Sequence, residues 1–159
     1  MLRETILGAW ILVTYTEQVD GQGPERHPHG PHPVGLILYT DDGYMSAQIM
    51  TPHRVPYDAP AVDGGTVEQT AAAASGYLAY SGPYSVDEAT GDITHHVTVS
   101  LLPNWLDHPQ LRHSHFDGDH LTLTAHTPQP DGGDLVSTLI WRRPEPTTTT
   151  SSHDRRLRQ

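Results

Sequence analysis

Cysteine and lysine are both absent from this chain of 159 residues. Without cysteine there is no disulfide bond and no thiol catalysis, and such a composition suits a reducing cytoplasm. Because lysine is absent, all nine basic side chains are arginines, and Ala, Gly, Pro, Asp and His are abundant. This bias is typical of a bacterial gene rich in G and C. We therefore expect a cytoplasmic bacterial protein.

Long apolar runs are also absent, since no stretch of about 18 apolar residues occurs. The first residues lack the charged-then-apolar profile of a signal peptide. The formal net charge of −10 would repel the phosphate backbone of nucleic acids. The length is that of a single domain. The sequence therefore predicts one soluble domain with neither a membrane nor a nucleic acid as partner.

The chain does contain a series of short alternating segments, which is typical of half-buried strands. The predicted strands lie at 9–18, 34–40, 44–50, 78–86, 92–101, 110–116, 120–126 and 134–143. Two long segments rich in glycine and proline, 20–33 and 51–65, are predicted to be irregular. Thr66 and Gln69 form a capping box for one short helix through the alanines at 71–74. The pattern predicts an all-β fold, an eight-stranded antiparallel up-and-down barrel with this helix inserted between the third and fourth strands.

A Gly-x-Trp motif, Gly8 to Trp10, opens the first strand, and Arg142 and Arg143 end the last one. A small barrel can close its base in this way, with an arginine stacked on the indole. Further resembling segments are PVGLILY (33–39), GYMSAQ (43–48), GYLAYSGPY (76–84), THHV (94–97) and SLLPNW (100–105). Together they resemble the bacterial lipocalin-like domain family. The resemblance implies a lipocalin-like barrel over 1–143, followed by a polar tail over 144–159 that we expect to be flexible.

One candidate group for proton transfer lies on the predicted fourth and fifth strands. If Val86 pairs with Ile93, then Tyr84 lies opposite His95 and Tyr80 lies opposite Val99. Histidine and tyrosine can exchange protons with a ligand, so His95, Tyr84 and Tyr80 are the candidate catalytic residues. The alternative is a structural histidine that is satisfied inside the barrel.

A candidate anion-binding residue follows from the turn Asp117-Gly118. If these two residues form the loop of a hairpin, Arg112 lies opposite Leu123 and shares the apolar inner face. Burying a guanidinium inside a barrel costs free energy unless an anion pairs with it. Arg112 could therefore bind a carboxylate, enolate or phenolate of a ligand. The alternatives are a structural ion pair or an arginine that stacks on tryptophan.

Further ligand-binding candidates are polar or aromatic residues on the predicted second and third strands and in the loop after 101. Asn104 and Trp105 resemble a family motif and could line the mouth of the barrel, although Pro103-Asn104 is also a good turn. The other candidates are Tyr39, Ser46 and Gln48. The faces of these three are not fixed, because both alternating sets are partly apolar.

The chain has 12 histidines, but their arrangement does not predict a metal site. His27, His29 and His32 lie in a loop without regular structure to organise them, and no Glu or Cys completes a ligand set. His113 and His115 are predicted to face outward. We expect no native metal and no other cofactor.

Two functions are compatible with these residues. The first is an isomerase or cyclase that folds a hydrophobic, oxygenated, polyketide-like intermediate and moves protons through histidine and tyrosine. This first function would belong to secondary metabolism. The second is a carrier or sensor that binds the same kind of hydrophobic small molecule without changing it. Either could act as a monomer or a homodimer.

Overall fold

The structure is a computed structural model that describes residues 1–145. Ten strands occur in this part of the chain. They are β1 (Gly8–Val19), β2 (Gln22–Arg26), β3 (Val34–Tyr39), β4 (Tyr44–Met50), β5 (Tyr77–Asp87), β6 (Asp92–His96), β7 (Val99–Ser100), β8 (Pro109–Asp117), β9 (His120–Pro128) and β10 (Asp134–Arg142). The helices are α1 (Leu2–Ile6), α2 (Val67–Ser75) and one 3₁₀ turn, Pro103–Trp105.

Eight of the strands form a closed antiparallel barrel, which confirms the predicted fold. The sheet runs β10-β9-β8-β6-β5-β4-β3-β1, and β1 also pairs with β10 to close it. The long strand β1 pairs with both neighbours, and its register against β10 shifts at a bulge between Leu12 and Thr14. Gly8–Ile11 pair with β3 along one edge, whereas the residues from Ile11 to Val19 pair with β10 along the other. Helix α2 lies between the third and fourth barrel strands, as predicted, and Thr66 and Gln69 form its capping box.

Two elements differ from the prediction at the start of the chain. The segment 20–33 is not wholly irregular, because β2 forms a hairpin with β1. Asp20 and Gly21 both have positive φ, which fits the twist of a two-residue hairpin turn. The short helix α1, over Leu2–Ile6, was not expected either.

The hairpin of β8 and β9 has a different register from the predicted one. Its loop residues are Gly118 and Asp119, so Asp117 pairs with His120 and Ser114 pairs with Leu123. Of the two loop residues only Gly118 has a positive φ. A type II′ hairpin turn requires a positive φ at its first loop position, and glycine is preferred there. The prediction that Arg112 faces Leu123 is therefore wrong. The slip is two residues, however, so alternation is preserved and Arg112 still points inward.

The predicted strand 92–101 is broken into β6 and β7. Tyr84 pairs with His95 and Val86 with Ile93, as expected, but Tyr80 pairs with Ser100 rather than Val99. At Gly82 the chain from 96 to 98 approaches so closely that a Cβ would lie 2.0 Å from the His96 carbonyl oxygen. This close approach interrupts the alternation. Val99 and Leu101 are consequently exposed instead of inward-facing.

The floor of the barrel is built around Trp10, which is 1% exposed. The Arg143 guanidinium lies 3.6 Å from the centre of the indole ring. The same side chain donates hydrogen bonds to the carbonyl oxygens of Thr5, Leu7 and Ala9, and the indole N–H donates to Ile6. Helix α1 is thus fixed across the base, and the predicted stacking of tryptophan on arginine is confirmed with Arg143 as the partner.

No helix within residues 1–145 is long and apolar enough to cross a membrane. The predicted polar tail, 144–159, falls outside the described residues from 146 onward.

Candidate functional site

His95 lies at the centre of the barrel interior and is 0% exposed. Its Nε2 atom lies 2.8 Å from the Tyr39 hydroxyl, and its Nδ1 atom lies 3.2 Å from the Tyr80 hydroxyl. Burial, followed by the nearby Arg112 charge, holds the pKa of His95 well below its ordinary value. The imidazole is therefore neutral at physiological pH. One tyrosine donates to it and the other accepts from it, so both ring nitrogens are occupied.

Tyr84 does not belong to this hydrogen-bonded group, although it lies opposite His95 in the register. Its hydroxyl donates to the Thr40 carbonyl oxygen at 3.0 Å. Tyr39 takes the place that Tyr84 was expected to fill, and the two rings meet edge to face at 5.0 Å. The sequence identified Tyr39 as a candidate but did not indicate which way it faces.

Arg112 is the buried cation that the sequence predicted, with 7% of its surface exposed. Its Nη1 atom donates to the Leu111 carbonyl oxygen at 2.8 Å. The guanidinium carbon lies 5.7 Å from the centre of the Trp105 ring, which is within range of a weak cation–π contact. No carboxylate of the described residues lies within salt-bridge distance of it.

Arg112 lines a small inner cavity of about 60 Å³. The inner cavity is bounded by inward-facing side chains of six barrel strands and by Trp105; its lining is Tyr15, Ile49, Leu78, Tyr80, Trp105, Gln110, Arg112, Ala125, Thr127, Ser137 and Leu139. This lining mixes aliphatic walls with a few polar groups. His95 does not line it and is reached through Tyr80.

A larger space of about 440 Å³, here called the mouth, adjoins the inner cavity. The mouth is lined by Tyr15, His29, Ala74, Ser75, Tyr77, Leu78, Leu101, Leu102 and Trp105. Tyr15, Leu78 and Trp105 line both spaces. The end of α2 and the segment 101–105 therefore form part of the rim, and the mouth borders the inner cavity at these three shared residues.

The remaining candidates from the sequence lie elsewhere. Ser46 and Gln48 lie on the outer face of β4, whose buried residues are Met45, Ala47 and Ile49. Ser46 accepts from the Ser81 hydroxyl, and Gln48 accepts from the Tyr77 hydroxyl. Asn104 is exposed in the 3₁₀ turn. The structure therefore brings Tyr80, Trp105 and Arg112 together around the inner cavity, with Tyr39 and His95 adjacent, but not Ser46, Gln48 or Asn104.

A second polar group on the inner cavity wall was missed by sequence reasoning. The Tyr15 hydroxyl donates to Glu17 Oε1 at 2.9 Å, and the Ser137 hydroxyl donates to the same oxygen at 3.3 Å. Arg26 of β2 donates to the other oxygen, Oε2, at 3.1 Å. The alternation Tyr15-x-Glu17 on a predicted strand was a signal for a shared face. The bulge within β1 and the unpredicted strand β2 obscured which face this was.

The histidines do not form a metal site within the described residues, where no group of three or more possible ligands is suitably placed. The rings of His113 and His126 meet edge to face on the outer surface, with centroids 5.6 Å apart, and they hydrogen-bond to Asp92 and Asp134 respectively. His29 is buried at the mouth and lies 5.7 Å from the Tyr15 ring. The expected absence of a native metal stays a prediction.

Comparison with known proteins yields two findings. Residues 7–144 match the family described as the lipocalin-like domain. A protein of Aspergillus oryzae named 4'-hydroxy-3'-methoxypropiophenone carrier protein ppsC is 37% identical over 106 residues, which cover 62% of this chain and 96% of that protein. That relative is fungal, so similarity of this kind extends beyond bacteria, and a bacterial source stays a prediction.

Proposed function

Because this chain belongs to the lipocalin-like domain family, we propose that it binds a hydrophobic, oxygenated small molecule and carries it unchanged. An oxygen of the ligand reaches Arg112 in the inner cavity. The apolar part of the ligand lies in the mouth, against Leu78, Leu101 and Trp105. Binding of this kind uses an aliphatic pocket with few, well-placed polar groups.

The observation that carries the proposal is the state of Arg112. A guanidinium removed from water loses hydration that a carboxylate or other anion normally replaces. Arg112 has a carbonyl hydrogen bond and an aromatic neighbour, but no carboxylate of the described chain within salt-bridge distance. Its position on the cavity wall leaves donors available to a ligand oxygen.

The sizes of the two spaces favour a ligand with one ring and a short chain. The inner cavity of about 60 Å³ accommodates only one end of such a molecule, whereas the mouth of about 440 Å³ accommodates the rest. The fungal relative is named for carrying an aryl ketone that also has hydroxyl and methoxy groups. We propose the same chemical class here, an aromatic ketone or a molecule of similar size and polarity.

Catalysis by an isomerase or cyclase is the second candidate function. It is favoured by the contact of Tyr80 with His95, since Tyr80 lines the inner cavity and could pass a proton to the imidazole. Carriage is the better-supported function for two reasons. Both nitrogens of His95 are occupied by tyrosines, and its lowered pKa makes it a weak base at neutral pH.

The binding test is calorimetric titration with 4'-hydroxy-3'-methoxypropiophenone. We expect saturable binding to the unaltered protein, and binding at least about tenfold weaker for Arg112→Gln, since hydrogen bonds to a charged group contribute about 1.5–3 kcal/mol. Arg142→Gln, at an exposed position on the same barrel, is the matched control and should bind normally. Absence of saturable binding, or equal affinity of Arg112→Gln and Arg142→Gln, would contradict the proposal.

Carriage and catalysis are separated by recovering the ligand after prolonged incubation. Mass spectrometry and chromatography should return the aryl ketone unchanged if the protein is a carrier. Formation of a product that is abolished in His95→Gln and in Tyr80→Phe would instead support the second function.

A further inference from the structure

We infer that Glu17 turns one wall of the inner cavity into a hydrogen-bond acceptor, so that the preferred ligand presents a hydroxyl donor there and an acceptor oxygen to Arg112. The inference rests on the proposed function and specifies which ligands the site selects. Glu17 is a positioning residue in this arrangement, since it acts through two side chains that line the cavity.

The cross-strand pairing places these residues together. Glu17 of β1 lies opposite Ser137 of β10 and also opposite Arg26 of β2. Its side chain is only 13% exposed, and Arg26 of β2 forms an ion pair with the carboxylate. The Oε1 atom of Glu17 receives hydrogen bonds from both Tyr15 and Ser137.

A hydroxyl group has a single proton to donate but retains acceptor lone pairs. Tyr15 and Ser137 both direct that proton at Glu17, and hydrogen bonds to a carboxylate are stronger than those between neutral groups. Burial, followed by the Glu17 charge, raises the pKa of Tyr15 well above its ordinary value, so the phenol stays protonated. Both oxygens therefore face the cavity as acceptors.

Arg112 supplies the opposite polarity in the same cavity, because a guanidinium donates and never accepts. Gln110 and Thr127 also line the space and can do either, so they do not decide the preference. A ligand that carries an acceptor oxygen and a hydroxyl at the same end, as a neighbouring methoxy and hydroxyl pair provides, satisfies both walls of the small inner cavity. A ligand whose hydroxyl is methylated leaves Tyr15 and Ser137 without a donor, and an unmatched buried polar group is costly.

The test compares two ligands that differ only in this donor: the hydroxyaryl ketone used above and its O-methyl ether. We expect the unaltered protein to bind the hydroxyl compound about tenfold more tightly, since one lost hydrogen bond costs about 1 kcal/mol or somewhat more. Tyr15→Phe should bring the affinity ratio towards one. Glu17→Gln should also reduce the ratio, because its amide group donates and releases one hydroxyl proton towards the cavity.

Three further variants separate specificity from general damage. Arg112→Gln should weaken both ligands while keeping their ratio, and Tyr44→Phe, an exposed tyrosine, should change nothing. If Glu17→Gln does not fold, Ser137→Ala removes the second acceptor and should also reduce the affinity ratio of the two ligands. Unchanged ratios in Tyr15→Phe, or equal binding of both ligands to the unaltered protein, would overturn this inference alone. Failure of both ligands to bind would overturn the proposed function together with it.

Discussion

Arg112 places a positive charge in the barrel interior with only a carbonyl hydrogen bond and an aromatic neighbour to offset its lost hydration. Its guanidinium is buried on the cavity wall, and no carboxylate of residues 1–145 lies within salt-bridge distance. Under the proposed function, an oxygen of the bound ligand would compensate this charge, which gives a reason to retain the arginine. Stability and binding should therefore respond to its replacement in opposite directions.

Arg112→Met tests whether the buried charge lowers stability while it strengthens ligand binding. We expect the free energy of unfolding without ligand to rise by about 1–3 kcal/mol, since a similar apolar chain removes an uncompensated buried charge. Binding of the aryl ketone should fall sharply in the same variant. Urea denaturation and calorimetry measure the two effects, with Arg142→Met as the control. A loss of stability would indicate that the guanidinium is structural.

The burial of His95 predicts how the free energy of unfolding depends on pH. The folded protein holds the pKa of His95 well below the ordinary value of about 6.5, whereas the unfolded chain restores it. Below about pH 6.5 the imidazole of His95 therefore binds a proton in the unfolded state but not in the folded state. The free energy of unfolding falls as the pH drops below this value. The slope from this residue is at most about 1.4 kcal/mol per pH unit.

Unfolding by urea at pH 7.5, 6.5 and 5.5 measures that slope. The pKa of His29 is also lowered by burial and adds a contribution of the same sign. We expect His95→Gln to have a shallower pH dependence than the unaltered protein, because the surface histidines are common to both. Equal slopes would mean that His95 does not titrate on unfolding.

At the scale of elements, the floor of the barrel joins α1, β1 and the residue after β10. Trp10 is enclosed by Arg143 and by its own hydrogen bond to α1. Trp10→Ala should lower the free energy of unfolding by about 3–5 kcal/mol, as the truncation of a core aromatic does. Trp105→Ala, at a partly buried position on the rim, is the matched control and should cost clearly less. Similar losses in both variants would contradict closure at the floor.

The strands also show how far alternation can be relied on. The β8–β9 register was predicted two residues away from its place, yet Arg112 was correctly assigned to the interior because an even slip preserves the face. Alternation failed for Val99 and Leu101, where the glycine at 82 lets the backbone of 96–98 approach and break the strand. A close approach of two backbones has no local sequence pattern beyond the glycine itself.

At the scale of the whole molecule, the chain has 12 histidines. We nevertheless expect that the protein needs no metal ion to fold or to bind its ligand. Incubation with EDTA should leave the thermal midpoint and ligand affinity unchanged, because metal binding that stabilised the fold would shift both. Differential scanning fluorimetry with and without the chelator measures this. A midpoint lowered by several degrees would show that some of the histidines hold an ion.

The amino-acid sequence by itself determined the barrel, the inserted helix and the inward direction of Trp10, His95 and Arg112. Period-two alternation, turn glycines and a capping box are local signals, so they can be read along the chain. Only the tertiary structure decided which inward side chains meet. Ser137 joins Glu17 across 120 positions because barrel closure lays β10 against β1. Tyr39 joins His95 across 56 positions from strands that are not neighbours in the sheet, because both side chains point into the barrel. Such contacts depend on the register of distant strands, which alternation restricts to a face but does not fix to a residue.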